Sequence, residues 1–257
     1  MTKKKKIPWS INILTLFPEM FPGPLGCSLA GKALQNKIWK LSVTDIREFA
    51  NSKSYRVDDA PFGGGSGMIM RPDILDSALR SLKINNKKSH TLIYPTPRGK
   101  MLNQSMIRKL AKKKEITIIC GRYEGVDERF IKSNKVEEIS IGDYLLSGGE
   151  LAAIVIIDSC LRLLPGVLGN KKSLDEETFE TGLLEYPHYT RPQKWKGLKV
   201  PKVLISGHHK KIQEWRYKKS LQITKKRRSD LWKQFKENKV LKTVSYTHLT
   251  LPTNREV

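Results

Sequence analysis

Cysteine is scarce in this sequence: three in 257 residues, Cys27, Cys120 and Cys160, with no CxxC pair. That excludes a disulfide framework and a cysteine-based zinc site. Histidine is nearly as rare, at five (His90, His188, His208, His209 and His248), and no HExxH or other ligand spacing occurs. A catalytic zinc is therefore not expected, nor any other assigned metal ligand set. No GxSxG is present to build a serine nucleophile. Long apolar runs are missing too. The longest clean one, Leu151–Ile157, falls far short of the roughly 20 residues of a membrane span, so no membrane partner is expected. At the amino terminus Lys3–Lys6 precede an apolar stretch, but Ser10, Asn12 and Thr15 interrupt it and no small-residue cleavage site follows. A cytoplasmic protein is the expectation. Acidic residues are the last shortage: 25 against 48 Lys+Arg, a net charge of +23.

An excess of that size points to a polyanionic partner. Apolar residues make up 39% of the chain, too many for a disordered basic tail, and the length suits one large or two modest domains. The charge is uneven. Residues 201–257 hold 15 Lys+Arg and 4 Asp+Glu, a net +11, while the first 200 residues carry +12. Basic clusters repeat there, at Lys210-Lys211, Arg216–Lys219 and Lys225–Arg228, with Trp215, Tyr217 and Trp232 among them. Any single cluster reads equally well as a solvated face. Together, cations that neutralise phosphates and aromatics that stack on unpaired bases suit RNA. For Trp215 and Trp232 a place in a helix core is the favoured reading over base stacking.

Periodicity gives a coarse plan. Ser10–Leu16 and Leu41–Ile46 read as strands, and Pro72–Leu82 as a helix. Three short apolar segments follow, Thr91–Tyr94, Ile116–Cys120 and Val136–Ile141, separated by helical patterns at Met101–Ala111 and Val126–Ser133. That alternation predicts an α/β fold with a largely parallel sheet. Glu150–Leu164 reads as a long apolar helix closed by Pro165-Gly166. The polar stretch Val167–Glu177 is the candidate interdomain linker, and the basic remainder reads as a small helical domain. The last fourteen residues, Val244–Val257, lose the lysines and gain threonines; they resemble translated adapter sequence and read as a foreign or disordered tail.

Each of the three short strands runs into a loop rich in glycine or proline: Pro95–Gly99, Gly121–Gly125 and Gly142–Glu150. In open parallel sheets ligands bind beyond the carboxyl ends of the strands, and glycine lets the backbone approach them closely. Three such loops on one sheet predict a cradle for an adenosine-sized ligand. A fourth cluster, Gly63–Gly67, is neither a Walker A loop nor GxGxxG, and reads as a surface loop, a lid or an RNA-facing segment. The adjacent Asp58-Asp59 read as helix caps or ion-pair partners rather than metal ligands.

Seven strings, in order, carry a family resemblance: LFPEMF (16–21), DDAPFGGGSGM (58–68), CGRYEGVDER (120–129), SIGDYLLSGGE (140–150), PGVLG (165–169), GLLEYPHYTRP (182–192) and VLISGHH (203–209). They resemble the bacterial TrmD-type tRNA (guanine-N1)-methyltransferases, from about Ile11 to Lys242. The resemblance implies an S-adenosylmethionine-dependent enzyme of the SPOUT class, whose parallel sheet carries a deep trefoil knot with a small helical C-terminal domain beside it. It implies a knotted cofactor-binding catalytic domain over 1–168, a linker over 169–180 and a basic tRNA-binding domain over 181–243. Cofactor contacts carry over to Tyr94, Pro97, Gly121, Tyr123, Glu124, Gly125, Ile141, Gly142, Tyr144, Leu146, Gly148 and Gly149. The implied substrate is tRNA, not DNA, methylated at N1 of the guanine 3′ of the anticodon, by a homodimer whose activity magnesium supports.

The chemistry fits these residues. Guanine N1 carries a proton that a base must remove, and charge then builds on O6, where a guanidinium can stabilise it. By resemblance the arginine is Arg162, and the base, usually an aspartate, is Glu177 here. Contacts to tRNA carry over to Asp58, Ser173, His188 and Arg191, and the charge pattern adds Lys225, Lys226, Arg227 and Arg228. Two further departures from the family pattern are Ala60, where arginine is common, and Ala152, where proline is common. The competing readings are a non-catalytic RNA-binding or ribosome-associated protein, and a knotted methyltransferase of ribosomal RNA or of a ribose hydroxyl. The intact loops argue against the first and the SGHH segment against the second.

Overall fold

A computed structural model describes residues 8–50, 55–84, 90–168 and 182–237. The chain divides into two compact units, Met1–Gly169 and Asn170–Val257.

The first unit is built on a five-stranded, all-parallel sheet. Its strands are β1 (Trp9–Thr15), β2 (Trp39–Asp45), β5 (His90–Met101), β6 (Glu115–Ile119) and β7 (Glu137–Ser140), in the order β2-β1-β6-β5-β7. Every residue of central β6 is buried, as expected where helices cover both faces. Successive strand residues point to opposite faces. Ile11, Ile13, Ile93, Ile116 and Ile118 accordingly join one apolar cluster, with Ile107 and Leu110 of α3 (Gln104–Ala111) and Ile156 and Ile157 of α5 (Gly149–Leu161). Leu14, Leu16, Leu92, Tyr94 and Ile119 join the other, with Leu75 and Ala78 of α2 (Pro72–Ser81) and Phe130 of α4 (Glu128–Ser133). The result is a three-layer α/β unit with a parallel central sheet.

Local chemistry sets the helix starts. Pro72 opens α2, the Asn103 side chain accepts from the Met106 amide ahead of α3, and Asp127 accepts from the Arg129 amide ahead of α4. These caps place α3 and α4 later than periodicity alone predicts. Helix α5 ends at Leu161, earlier than expected, and Arg162 is its C-cap. Helix α1 (Ser28–Gln35) is not anticipated by the sequence pattern: it is short, contains Gly31 and has no side-chain N-cap bond.

One expectation needs correction. Pro95–Gly99 is not a loop after a finished strand. Strand β5 pairs with β7 through Pro95 and again through Lys100, both opposite Ile139, so 96–99 bulge out between the two pairings. Pro95 and Pro97 lack the amide a continuous ladder needs, which explains the break.

Asp58-Asp59 form β3, a two-residue strand antiparallel to β4 (Ile69–Met70), rather than a helix cap. The ion-pair expectation holds for Asp59, 3.6 Å from Arg56.

In the second unit α6 (His209–Arg227) is the main helix, and a further helical segment covers 229–237. A small hairpin, β8 (Lys194–Trp195) with β9 (Leu198–Lys199), adds strand where only helix was expected. Its two-residue turn puts Lys196 and Gly197 at φ +47° and +83°, the left-handed geometry such hairpins require.

Candidate functional site

The 96–99 bulge of β5 and the carboxyl ends of β6 and β7 lie at one end of the sheet, and the three segments expected to form the cradle gather there. Tyr94, at 7% exposure, is the joint between the first two. A Cβ on Gly121 would fall 2.5 Å from Tyr94 Cε2, and one on Gly125 would fall 2.9 Å from its hydroxyl. Burial pushes the Tyr94 phenol above its ordinary value, so the ring stays neutral. The third loop closes on the second through the Gly149 amide, which donates to the Gly121 carbonyl at 2.9 Å. Gly142 (φ +152°) turns the chain out of β7, and Tyr144 Oη donates back to the Ile141 carbonyl. Cys120, the residue after β6, is fully buried, and burial drives its thiol pKa well up. It is not a nucleophile.

Around these glycines the loops leave apolar surface open. Tyr123, Tyr144 and Leu146 are half-exposed, Pro97 is exposed, and the Glu124 carboxylate stands at the surface. Arg98 fixes the 96–99 bulge from outside, donating to Glu138 at 2.5 Å and Glu128 at 2.7 Å. Those hydrogen bonds raise the guanidinium's pKa. The glycine-rich segment after β3 is not a free lid at its far end. The Glu124 amide donates to the Met68 carbonyl, the Met70 amide to Gly125, and the Gly67 backbone passes against the Glu124 side chain.

The sequence reading missed a polar group at the heart of this edge. Glu150, 1% exposed, accepts from Thr15 Oγ1 at 2.8 Å and from Arg122 Nε at 3.2 Å, while its Oε2 lies 3.0 Å from Arg122 Nη2. Arg122 also donates to the Ser147 carbonyl at 3.1 Å and lies 4.2 Å over the Phe17 ring. Residues 28 apart, one on a loop and one in the first turn of α5, leave no periodic signal. The only cue is that both sit inside loop strings rather than on a polar face.

Of the two residues assigned to proton and charge handling, Arg162 is exposed at the end of α5, and Glu177 lies outside the described residues, as does Ser173. Asp58 is in β3 and half-buried. In the second unit His188 is exposed and shares a hydrogen bond with Glu185 at 3.0 Å, and Arg191 is exposed. Lys225, Lys226 and Arg227 close α6, where cations also offset the helix dipole. Arg228 differs from them: it grips Asp230 with two bonds, 2.9 and 2.6 Å, which hold that carboxyl down at about 2. Trp215 and Trp232 are neither free platforms nor full core. They are half-buried, with Trp215 6.3 Å from the Tyr189 ring and Trp232 stacked 5.9 Å from Phe235. Among the described residues no cluster of three or more His, Cys, Asp or Glu could hold a metal ion, and no helix is long and apolar enough to cross a membrane.

Comparison with known proteins places this geometry. A family model described as tRNA (Guanine-1)-methyltransferase TrmD matches residues 9–234. A tRNA (guanine-N(1)-)-methyltransferase of Rhodospirillum rubrum is 55% identical over 223 residues, 87% of this chain and 92% of its own. Proteins of the same name from Pelagibacter ubique (54%; 90% of this chain, all of its own) and Wolbachia pipientis (55%; 87% and 95%) are similarly alike.

Proposed function

The chain belongs to the TrmD family of tRNA (guanine-1)-methyltransferases, and on that premise we propose that it transfers a methyl group from S-adenosylmethionine to N1 of the guanine immediately 3′ of the tRNA anticodon, position 37. The observation that carries this reading is the gathering of three loops at one end of a parallel sheet, joined through Tyr94, Gly121 and Gly149.

The residues present fit the cofactor. Main-chain groups of Gly121, Gly125, Ile141, Gly142, Gly148 and Gly149 line the edge beside open surface of Pro97, Tyr123, Tyr144 and Leu146, which suits a flat adenine. The Glu124 carboxylate suits the cationic end. When bound, S-adenosylmethionine supplies a methyl group made electrophilic by its sulfonium. Glu177 takes the N1 proton of guanine, and the Arg162 guanidinium holds the charge that develops on O6.

The same reading makes the loop edge a deep trefoil knot. In support, the chain leaves edge strand β7, runs inward to Gly121 and only then begins α5. It makes the enzyme a cytoplasmic homodimer whose sites draw on both subunits. Leu151 and Val155 support this: one turn apart on α5, these apolar side chains are 53% and 45% exposed. Division of labour follows the charge. Residues 1–168 hold the cofactor, 169–180 link, and 181–243 bind tRNA, through His188, Arg191 and Lys225–Arg228, with Asp58 and Ser173 contributing from outside that segment. Magnesium supports the reaction without an assigned protein site.

Labelled-methyl transfer to bulk tRNA and to ribosomal RNA, both from a strain lacking the activity, tests the substrate class. Incorporation is expected in tRNA alone; incorporation in ribosomal RNA alone would overturn the reading.

A further inference from the structure

Three segments meet behind the loop edge: the end of β1 at Thr15–Phe17, the loop at Arg122, and the turn into α5 at Ser147–Glu150. One guanidinium and one carboxylate connect all three. Glu150 Oε1 takes hydrogen bonds from Thr15 Oγ1 and Arg122 Nε. Thr15 Oγ1 in turn accepts from the Phe17 amide at 3.0 Å, which fixes the Phe17 ring under Arg122. The remaining face of the guanidinium reaches the Ser147 carbonyl. Residue 148 is glycine where Arg122 passes, since a Cβ there would stand 2.6 Å from Arg122 Cδ.

Such a pair is costly to assemble. Its side chains are 18% and 1% exposed, and burying two charges offsets most of what their attraction contributes to stability. An apolar pair of similar size would hold a plain core as well. What an apolar pair lacks is direction: the planar fork fixes two loops at a set distance and angle through distinct nitrogens. Neither side chain is among the groups assigned to touch cofactor or guanine.

We infer that Arg122 and Glu150 are a positioning pair that sets the spacing of the Gly121–Gly125 and Gly142–Gly149 loops, and with it the affinity for the methyl donor. The inference rests on the proposed assignment of those loops to S-adenosylmethionine. Because the pair acts through the loops and not on guanine, its loss weakens cofactor binding and spares transfer once cofactor saturates.

The test compares full-length parent, Arg122→Lys and the double variant Arg122→Leu/Glu150→Leu. Lysine keeps the charge but lacks the planar fork that reaches Glu150 and the Ser147 carbonyl through separate nitrogens. The double variant leaves no buried charge unpaired, so it folds even if Arg122→Lys does not. Thermal melting, calorimetric titration with S-adenosylmethionine and single-turnover methylation at saturating cofactor are measured for each. Both variants are expected to lose about tenfold in cofactor affinity, with transfer at saturation within about twofold of parent and the double variant melting close to it. Parent-like affinity in the double variant would overturn the inference and make the pair a strut. An equal fall in affinity and saturated rate would also overturn it. Failure of the parent itself to bind S-adenosylmethionine would reject the loop assignment instead.

Discussion

The amide of Gly149 donates to the carbonyl of Gly121 across 2.9 Å, so α5 begins where the loop after β6 begins. Residue 149 has no room for a side chain. A Cβ there would stand 2.9 Å from both the Cys120 Cα and the Gly121 nitrogen, and backbone cannot swing aside as a side-chain tip can. Main chain thus holds two of the three loops together.

Gly149→Ala is therefore expected to push the loops apart. Overpacking of this kind costs about 1–3 kcal/mol, visible as a lower melting temperature, and cofactor titration should show weaker binding. An unchanged melt and titration would mean the loops separate freely.

Stability should depend on His90. Its ring nitrogen lies 2.8 Å from Thr117 Oγ1, which also accepts from Asn12. Burial lowers its pKa below 6.5, against the pull of Glu115, with Lys113 lowering it further. The folded state thus binds the proton less readily than the unfolded chain. The stability this contributes is present above about 6.5 and is lost as pH falls through the folded value. In denaturant melts from pH 7.5 to 5, stability should fall less for His90→Gln than for the parent. Identical pH slopes would contradict this.

Binding to tRNA should weaken steeply with salt, because cations that neutralise phosphates release counterions. Replacing Lys225, Lys226 or Arg227 by alanine should each flatten the log–log slope by about one unit or slightly less. Arg228→Ala should change it less, since Asp230 already engages that guanidinium. Equal effects from all four would mean that tRNA displaces Asp230.

The sheet and most of its helices were legible because period-2 and period-3.6 patterns are local. The strand expected at Ser10–Leu16 is found at Trp9–Thr15, and the helix at Pro72–Leu82 ends at Ser81. The loops after β6 and β7 were legible from their glycines alone. What stayed hidden was non-local. The bulge at 96–99 depends on double pairing opposite Ile139, and the docking of Met68–Met70 on Glu124–Gly125 joins segments more than fifty residues apart. The Arg122–Glu150 pair was hidden for the same reason. The split of the basic cluster needed the Arg228–Asp230 geometry, which composition does not distinguish from a free charge.

The proton step gives a fourth expectation. Glu177→Gln keeps size but removes the base, so single-turnover transfer should fall by roughly 10²–10⁴-fold, the usual worth of a general base. Cofactor affinity should hold. Arg162→Ala should also slow transfer. Amide versions of Asp175 and Glu176 should retain most activity. A dead Glu176→Gln beside an active Glu177→Gln would move the base by one residue, and parent-like rates from all would remove it from this segment.

Methylation at N1 covers the edge on which guanine pairs, so reverse transcriptase should halt one nucleotide before the modified base. The most direct measurement is primer extension on a tRNA transcript carrying guanine at position 37, after incubation with the protein and S-adenosylmethionine, beside the same transcript with adenine there. A cofactor-dependent stop at position 37 in the guanine transcript alone is expected. A stop elsewhere, a stop in both, or methyl incorporation that leaves extension uninterrupted would contradict N1 methylation at that position.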